Sequence, residues 1–277
     1  MSAVPEALLR ETVAGIEVLR RPGSGGLPPL VLLHGVGSDA ASWASTLARL
    51  DSRIDAIAWN APGYGGSTPL SIASPHPSDY AARLAAVLDG LRLGPVFLAG
   101  HSLGALFAAS FAVSRPGRVA ALALLSPASG YRVPPGEPLP AAVQARIDEL
   151  DRLGPEAFAA ARSARLVYRP ETKPAALAGV QRAMAAVRPA GYAQAVRALG
   201  AGDLLADAAR IAAPALVAVG AQDVVTPPTG AHAVFAALRQ GLRFVEVADA
   251  GHAFPQEVPA TVAGLLAELV ELGAKGL

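Results

Sequence analysis

The chain has 277 residues, 52% of them apolar, with 23 basic and 22 acidic side chains and a formal net charge of +1. That length suits one large domain with an inserted subdomain, and the balanced charge, without a block of one sign, argues against nucleic acid or an anionic surface as main partner. Cysteine is absent, which excludes disulfides, thiolate metal sites and a cysteine nucleophile.

Met1-Ser2-Ala3-Val4-Pro5-Glu6 lacks the basic and apolar regions of a signal peptide, so residence in the cytoplasm is expected. Thr12 to Arg20 alternates as an edge strand and ends in the turn-rich Arg21-Pro22-Gly23-Ser24-Gly25-Gly26. Leu30 to Leu33 is a continuous apolar run, the mark of a strand buried on both faces. Ser38 or Asp39 is placed to cap a helix over Ala41 to Leu50. Ile54 to Trp59 is the next strand, and Ser78 is expected to cap a helix reaching Leu91.

From Leu93 to Ser114 no residue is charged, a run long enough to suggest a membrane span. Pro95, His101 and three serines within it fit a buried strand followed by a buried helix better, so no membrane segment is expected. Val119 to Leu125 is a further strand. Residues 141–209 then show only helical periods, broken by Gly154-Pro155, Pro170, Pro174 and Pro189, with Leu166-Val167-Tyr168 as the one short strand candidate. Alternation resumes with a strand at Ala215 to Gly220, a helix near Ala231 to Leu238, a strand at Arg243 to Val247 and a closing helix from Pro259 to Leu272. This order predicts an α/β fold with a mainly parallel sheet, helices on both faces and an all-helical insertion. The boundaries are 1–130 and 207–277 for the core and 131–206 for the insertion, read as a cap over the site.

The most informative junction is Gly100-His101-Ser102-Leu103-Gly104, between an apolar strand and a helix. A serine between two glycines at such a turn projects its hydroxyl from the sheet edge, and the glycines avoid a Cβ clash with neighbouring elements. A serine hydroxyl needs a base. Of the five histidines, only His252 lies in a loop after a late strand, at the carboxyl edge where sites on open α/β sheets gather. Asp223 ends the preceding strand at the same edge and is the expected acid partner; Asp249, near His252 in sequence, competes with it. Acyl transfer also wants two fixed N–H donors for an oxyanion. Leu103 and, from the Gly-rich loop His34-Gly35-Val36-Gly37, Val36 are the candidates. His34 is read as bracing that loop and His101 as packing, and both are carried with Gly35 and Ser126 as candidate substrate contacts. His76 and His232 read as surface residues. No metal-ligand cluster is visible, and no cofactor is expected.

Together with Ala61-Pro62-Gly63-Tyr64-Gly65-Gly66-Ser67, Gly220-x-x-Asp223 and Gly251-His252, these motifs follow one another in the order of the α/β-hydrolase-fold enzymes, which the chain resembles over essentially its whole length. The resemblance implies an eight-stranded, mainly parallel sheet with a helical cap, Ser102 as nucleophile, His252 as base and Asp223 as orienting acid. Ala105 departs from the glycine often found there. Asp223 to Pro228 and Gly191-Tyr192 to Asp203 resemble the lactone hydrolases that open oxoadipate enol-lactone. Gly35 to Ser38 with Trp43 is similar to hydrolases that cut carbon–carbon bonds in ring-fission products. The insertion shows no dense arginine cluster of the kind that would grip a dicarboxylate: its arginines, Arg146, Arg162 and Arg165 among them, are scattered, and most read as solvated helix faces. The expected substrate is therefore a small or medium carboxylic ester, thioester or lactone in an apolar pocket. Carbon–carbon cleavage or acyl transfer, and a non-catalytic binding protein on this fold, are the alternatives.

Overall fold

The computed structural model describes residues 8–275; the segment Met1 to Glu6, read above for targeting signals, lies outside them. Strands β1 (Leu9–Val13) and β2 (Ile16–Arg21) form a hairpin where a single edge strand over Thr12 to Arg20 was expected. The chain reverses at Ala14 and Gly15, both at positive φ (51° and 76°), the twist-matching two-residue turn of hairpins. Strand β3 (Leu30–Leu33) leads into a 3₁₀ turn (Ala40–Trp43) and the short helix α1 (Ala44–Leu47). Asp39 is its cap, accepting from Ser42 N–H at 2.9 Å.

After β4 (Ala56–Trp59) comes α2 (Pro77–Gly90). Its cap is the His76 ring, which accepts from Ser78 N–H at 3.3 Å, while Asp79 returns to His76 N–H at 2.7 Å; Ser78 is thus inside the helix. The uncharged run from Leu93 is β5 (Val96–His101) followed by α3 (Leu103–Ser114), and among the described residues no helix is long and apolar enough to cross a membrane. Strand β6 (Val119–Leu125) precedes a wholly helical stretch: α4 (Ala141–Leu153), α5 (Pro155–Arg162), α6 (Pro174–Ala185), α7 (Pro189–Ala201) and α8 (Leu204–Ala208). Leu166 to Tyr168 forms no strand; a 3₁₀ turn (Ser163–Leu166) runs into it. The chain closes with β7 (Ala215–Gly220), α9 (Pro228–Ala237), β8 (Gly241–Val247), α10 (Phe254–Glu257) and α11 (Pro259–Ala274).

The eight strands form one sheet in the order β1-β2-β4-β3-β5-β6-β7-β8. The pairings of β1 with β2 and of β2 with β4 are antiparallel, and all the others are parallel. Apolar burial on both sheet faces produces two cores. One gathers Tyr80, Leu84 and Leu88 of α2 with Leu106, Phe107 and Phe111 of α3; the other gathers Leu47 of α1 with Leu266, Leu269 and Val270 of α11. From β3 the chain moves outward to β4 and then crosses to β5 on the other side of β3. That reversal opens a crevice at the carboxyl ends of β3 and β5, the place where an open α/β sheet takes its ligand. The helical stretch docks over this edge. Arg188 Nε donates to Gly63 O at 3.0 Å, and the Gln194 amide donates to Leu70 O and Ile72 O at 2.8 Å each.

Backbone crowding at the β5–α3 turn gives a test. A Cβ on Gly100 would lie 2.2 Å from Gly104 O, whereas one on Gly264 of α11 would meet nothing within 4 Å. Gly100→Ala is expected to cost about 3 kcal/mol or more, and Gly264→Ala to add about 1 kcal/mol. Thermal melts should show the two Tm values moving in opposite directions, the first by roughly 6 °C or more.

Candidate active site

Ser102 stands between β5 and α3 with φ 54° and ψ −116°, a conformation strained for a residue with a Cβ. Its neighbours over-determine it: Ser102 N–H donates to Leu125 O at 2.8 Å, and its carbonyl accepts from Ala105 and Ala128 N–H at 3.0 and 3.2 Å. Leu103 opens α3, so its N–H has no carbonyl within the helix to accept it. The loop after β3 lies directly against this turn, since a Cβ on Gly35 would come within 2.9 Å of Ser102 Cβ.

Ser102 Oγ lies 3.1 Å from His252 Nε2, and His252 Nδ1 lies 2.8 Å from Asp223 Oδ2. Three groups from three loops therefore form one continuous hydrogen-bonded chain, with all three residues buried. Asp223 Oδ1 accepts from Val225 and Thr226 N–H at 2.8 and 2.9 Å, and Oδ2 accepts from Thr226 Oγ1 at 2.9 Å. Burial works against the Asp223 charge, but the hydrogen bond and charge of His252, helped by Thr226 N–H, hold the carboxyl well below the usual carboxylate range. An ionised Asp223 accepts from Nδ1–H, which leaves the Nε2 lone pair facing the Ser102 hydroxyl. Asp249 is not part of this chain: it sits at φ 54° on the surface, and its carboxylate is 3.8 Å from Lys173 Nζ.

The other histidines are structural braces. His34 Nε2 accepts from Ala61 N–H at 3.0 Å while Nδ1–H donates to Gly35 O at 2.8 Å, locking the loop that carries Val36. His101 Nε2–H donates to the His252 carbonyl at 2.8 Å and so holds the histidine loop from below. Neither lines the main cavity, and neither do Gly35 or Ser126, all four of which were expected to touch substrate. Gly35 is pressed against Ser102, and Ser126 is fully buried behind the chain, its carbonyl 3.0 Å from Thr226 Oγ1. His76 caps α2, and His232 pairs with Glu246 at the surface.

Burial and the neighbouring His252 push His101 down to about 3, and burial lowers His34 as well. The unfolded chain binds protons at these rings below pH 6.5 while the native state refuses them. Stability is therefore fully present above pH 6.5 and is lost as pH falls toward the folded values, by about 1.4 kcal/mol per pH unit per ring. Asp223, with its folded value depressed, adds to the loss only below its ordinary 3.8. Urea unfolding between pH 7 and 4 should show this decline, and His101→Gln, which keeps an N–H donor, should make it shallower.

Above Ser102 and His252 lies a cavity of about 340 Å³, at the small end for ligand sites. Val36 and Thr226 border it from the core; Phe158, Met184, Tyr192 and Leu199 come from the helical stretch. Arg146, Arg162 and Arg165 also line it, so the wall is not apolar throughout; Arg165 is exposed to solvent, as read from the sequence, whereas Arg146 and Arg162 are half-buried and not simply solvated faces. The reason is packing. Arg146 shares the side of α4 that buries Val143, Ile147 and Leu150, and Arg162 sits one turn beyond buried Phe158 with its guanidinium 5.2 Å from the ring centre. The fall of Arg146 within the apolar stripe of α4 is the one sequence signal that could have located it. Glu257, whose side chain is wholly buried, ties the helical stretch to the loop that carries His252. Its carboxylate accepts from Gly251 and Tyr168 N–H at 3.0 Å and pairs with Lys173 at 3.1 Å.

A mainly parallel α/β sheet with serine, acid and histidine, in that chain order, after the carboxyl ends of β5, β7 and β8 defines a class of fold and site. A family model described as alpha/beta hydrolase fold matches residues 28–257, and the chain belongs to that family. Among curated relatives, it is 38% identical over 98 residues to the (E)-2-((N-methylformamido)methylene)succinate hydrolase of Acinetobacter baylyi, covering 35% of this chain and 37% of that one. It is 40% identical over 106 residues to a 2-hydroxy-6-oxononadienedioate/2-hydroxy-6-oxononatrienedioate hydrolase of Burkholderia vietnamiensis, covering 36% of each. The matched segments thus span little more than a third of either relative. Among solved structures, the enol-lactonase of Burkholderia xenovorans superposes with a TM-score of 0.83 at 24% identity, over 95% of this chain and 100% of that one. A thermophilic esterase of Thermogutta terrifontis gives 0.82 at 24% identity, over 97% and 99%. These structures share the fold.

Proposed function

We propose that the protein is a serine hydrolase of carboxylic esters or lactones, with Ser102 as nucleophile, His252 as general base and Asp223 as the acid that orients it. The observation that carries this reading is the unbroken hydrogen-bonded chain from Asp223 through His252 to Ser102 at the floor of the cavity. In the first step Ser102 Oγ bonds to the substrate carbonyl carbon as its proton passes to His252 Nε2. The bond to the leaving oxygen then breaks, and His252 returns the proton to that oxygen. Water repeats the sequence on the acyl-enzyme, giving the acid and the alcohol, or one hydroxy acid from a lactone. The N–H groups of Val36 and Leu103 hold the oxyanion, each worth about 3 kcal/mol in the transition state. The helical insertion, 131–206, serves as the cap that shapes the substrate space.

The test is intact-mass spectrometry after exposure to a fluorophosphonate. One adduct on the wild type, absent from Ser102→Ala, is expected; an unlabelled wild type would shift the weight to a binding role. The same groups would also serve carbon–carbon bond hydrolysis. An adduct without turnover of any methyl or p-nitrophenyl ester would favour that reading, and product analysis on a ring-fission substrate would decide it.

A further inference from the structure

We propose that Arg146 and Arg165 form an anion subsite in the cavity above Ser102, so that the preferred substrate is an ester or lactone bearing a second, ionised carboxylate. The assignment of the reacting centre rests on the serine-hydrolase reading above; the subsite itself rests on the cavity wall. Three arginines, Arg146, Arg162 and Arg165, are among the residues lining a space of about 340 Å³, the first half-buried and Arg165 exposed to solvent, and no Asp or Glu is among those lining residues. The whole chain is nearly neutral, at +1, so this concentration of one sign is local.

The three are not equivalent. Arg162 already has a carboxylate, with Nε donating to Glu149 Oε2 at 2.7 Å, and lies over the Phe158 ring. Its charge is matched and its position held. Among the described residues, no carboxylate pairs with Arg146 or Arg165, although ten other ion pairs of the chain join arginine, lysine or histidine to an acid besides Arg162–Glu149. Arg146 is half-buried on the apolar side of α4 near Tyr192, where a guanidinium is poorly compensated without an anion. A planar fork of N–H donors suits a carboxylate in two-bond geometry. The apolar part of the lining, Phe158, Met184 and Leu199, fits a short hydrocarbon spacer between that carboxylate and the ester carbonyl.

The test compares monomethyl adipate with methyl hexanoate, which differ in the terminal carboxylate, by pH-stat at low ionic strength. The half-ester should be favoured at least tenfold in kcat/KM, mainly through KM, and 0.5 M NaCl should shrink the preference. Arg146→Gln and Arg165→Gln should each reduce the preference about fivefold, Arg146→Lys should keep most of it, and the double glutamine variant should remove it. Arg152→Gln, which alters an exposed arginine of α4 outside the cavity, should leave it unchanged. In parallel, adipate is titrated calorimetrically into Ser102→Ala with and without the double substitution. Equal rates on both esters with no adipate binding, or a preference indifferent to both arginines, overturn the subsite and leave the hydrolase intact. Adipate binding that the double variant loses, with neither ester cleaved, keeps the subsite and sinks the ester-hydrolase reading instead.

Discussion

Ser102→Ala is expected to lower kcat on a methyl or p-nitrophenyl ester by about 10⁴-fold or more while the protein stays folded. The hydroxyl removed is the group 3.1 Å from His252 Nε2, and no other hydroxyl is placed to attack from the same turn. The alanine inherits the same φ of 54°, so the strain of the turn is unchanged and the Tm should move by no more than a few degrees. Initial rates and a thermal melt on one preparation settle the matter. A loss below about tenfold would remove Ser102 from the nucleophile's role, whatever the geometry.

The second large effect is expected from Asp223→Asn. The amide can still accept from Val225 and Thr226 N–H through its oxygen, so the loop after β7 keeps its shape. Its NH₂ group, however, then faces His252 Nδ1 and donates to it, which moves the ring proton to Nε2. A protonated Nε2 cannot accept from the Ser102 hydroxyl. The expected loss in kcat is about 10⁴-fold, with KM little changed. Asp249→Asn, on an exposed residue with no contact to the His252 ring, should fall within about twofold of wild type. If the two variants behaved alike, the acid would have been assigned to the wrong loop.

Much of the core was legible in the residues. Leu30 to Leu33, Val119 to Leu125 and Ala215 to Gly220 are continuous apolar runs because parallel strands are covered on both faces, and each is a strand at those bounds or within them. The hairpin at Ala14-Gly15 was hidden because Ala14 carries no turn signature: its positive φ is imposed by the pairing of β1 with β2. The His76 cap was hidden because an imidazole is seldom the acceptor at that position, and Ser78 nearby offered a commoner one.

The site divides along the same line. Ser102, His252 and Asp223 could be singled out because each follows a strand, and β5, β7 and β8 end at the same edge once the sheet is parallel. Local patterning therefore located the groups proposed to carry the chemistry. Which residues wall the cavity was decided by tertiary structure alone. His34 and His101 read as a loop brace and a packing residue, and their backbone partners at Ala61, Gly35 and His252 agree with that; only the added role of substrate contact finds no place at the cavity wall. Arg146 and Arg162 look solvated on isolated helices, yet docking of α4 and α5 over the sheet edge brings both to the cavity wall half-buried, while Arg165, in the 3₁₀ turn after α5, lines it and stays exposed. Sequence periodicity shows that a helix has an apolar face; what that face meets depends on contacts distant in the chain, and so the proposed reacting groups were readable from the sequence while the wall of the cavity above them was not.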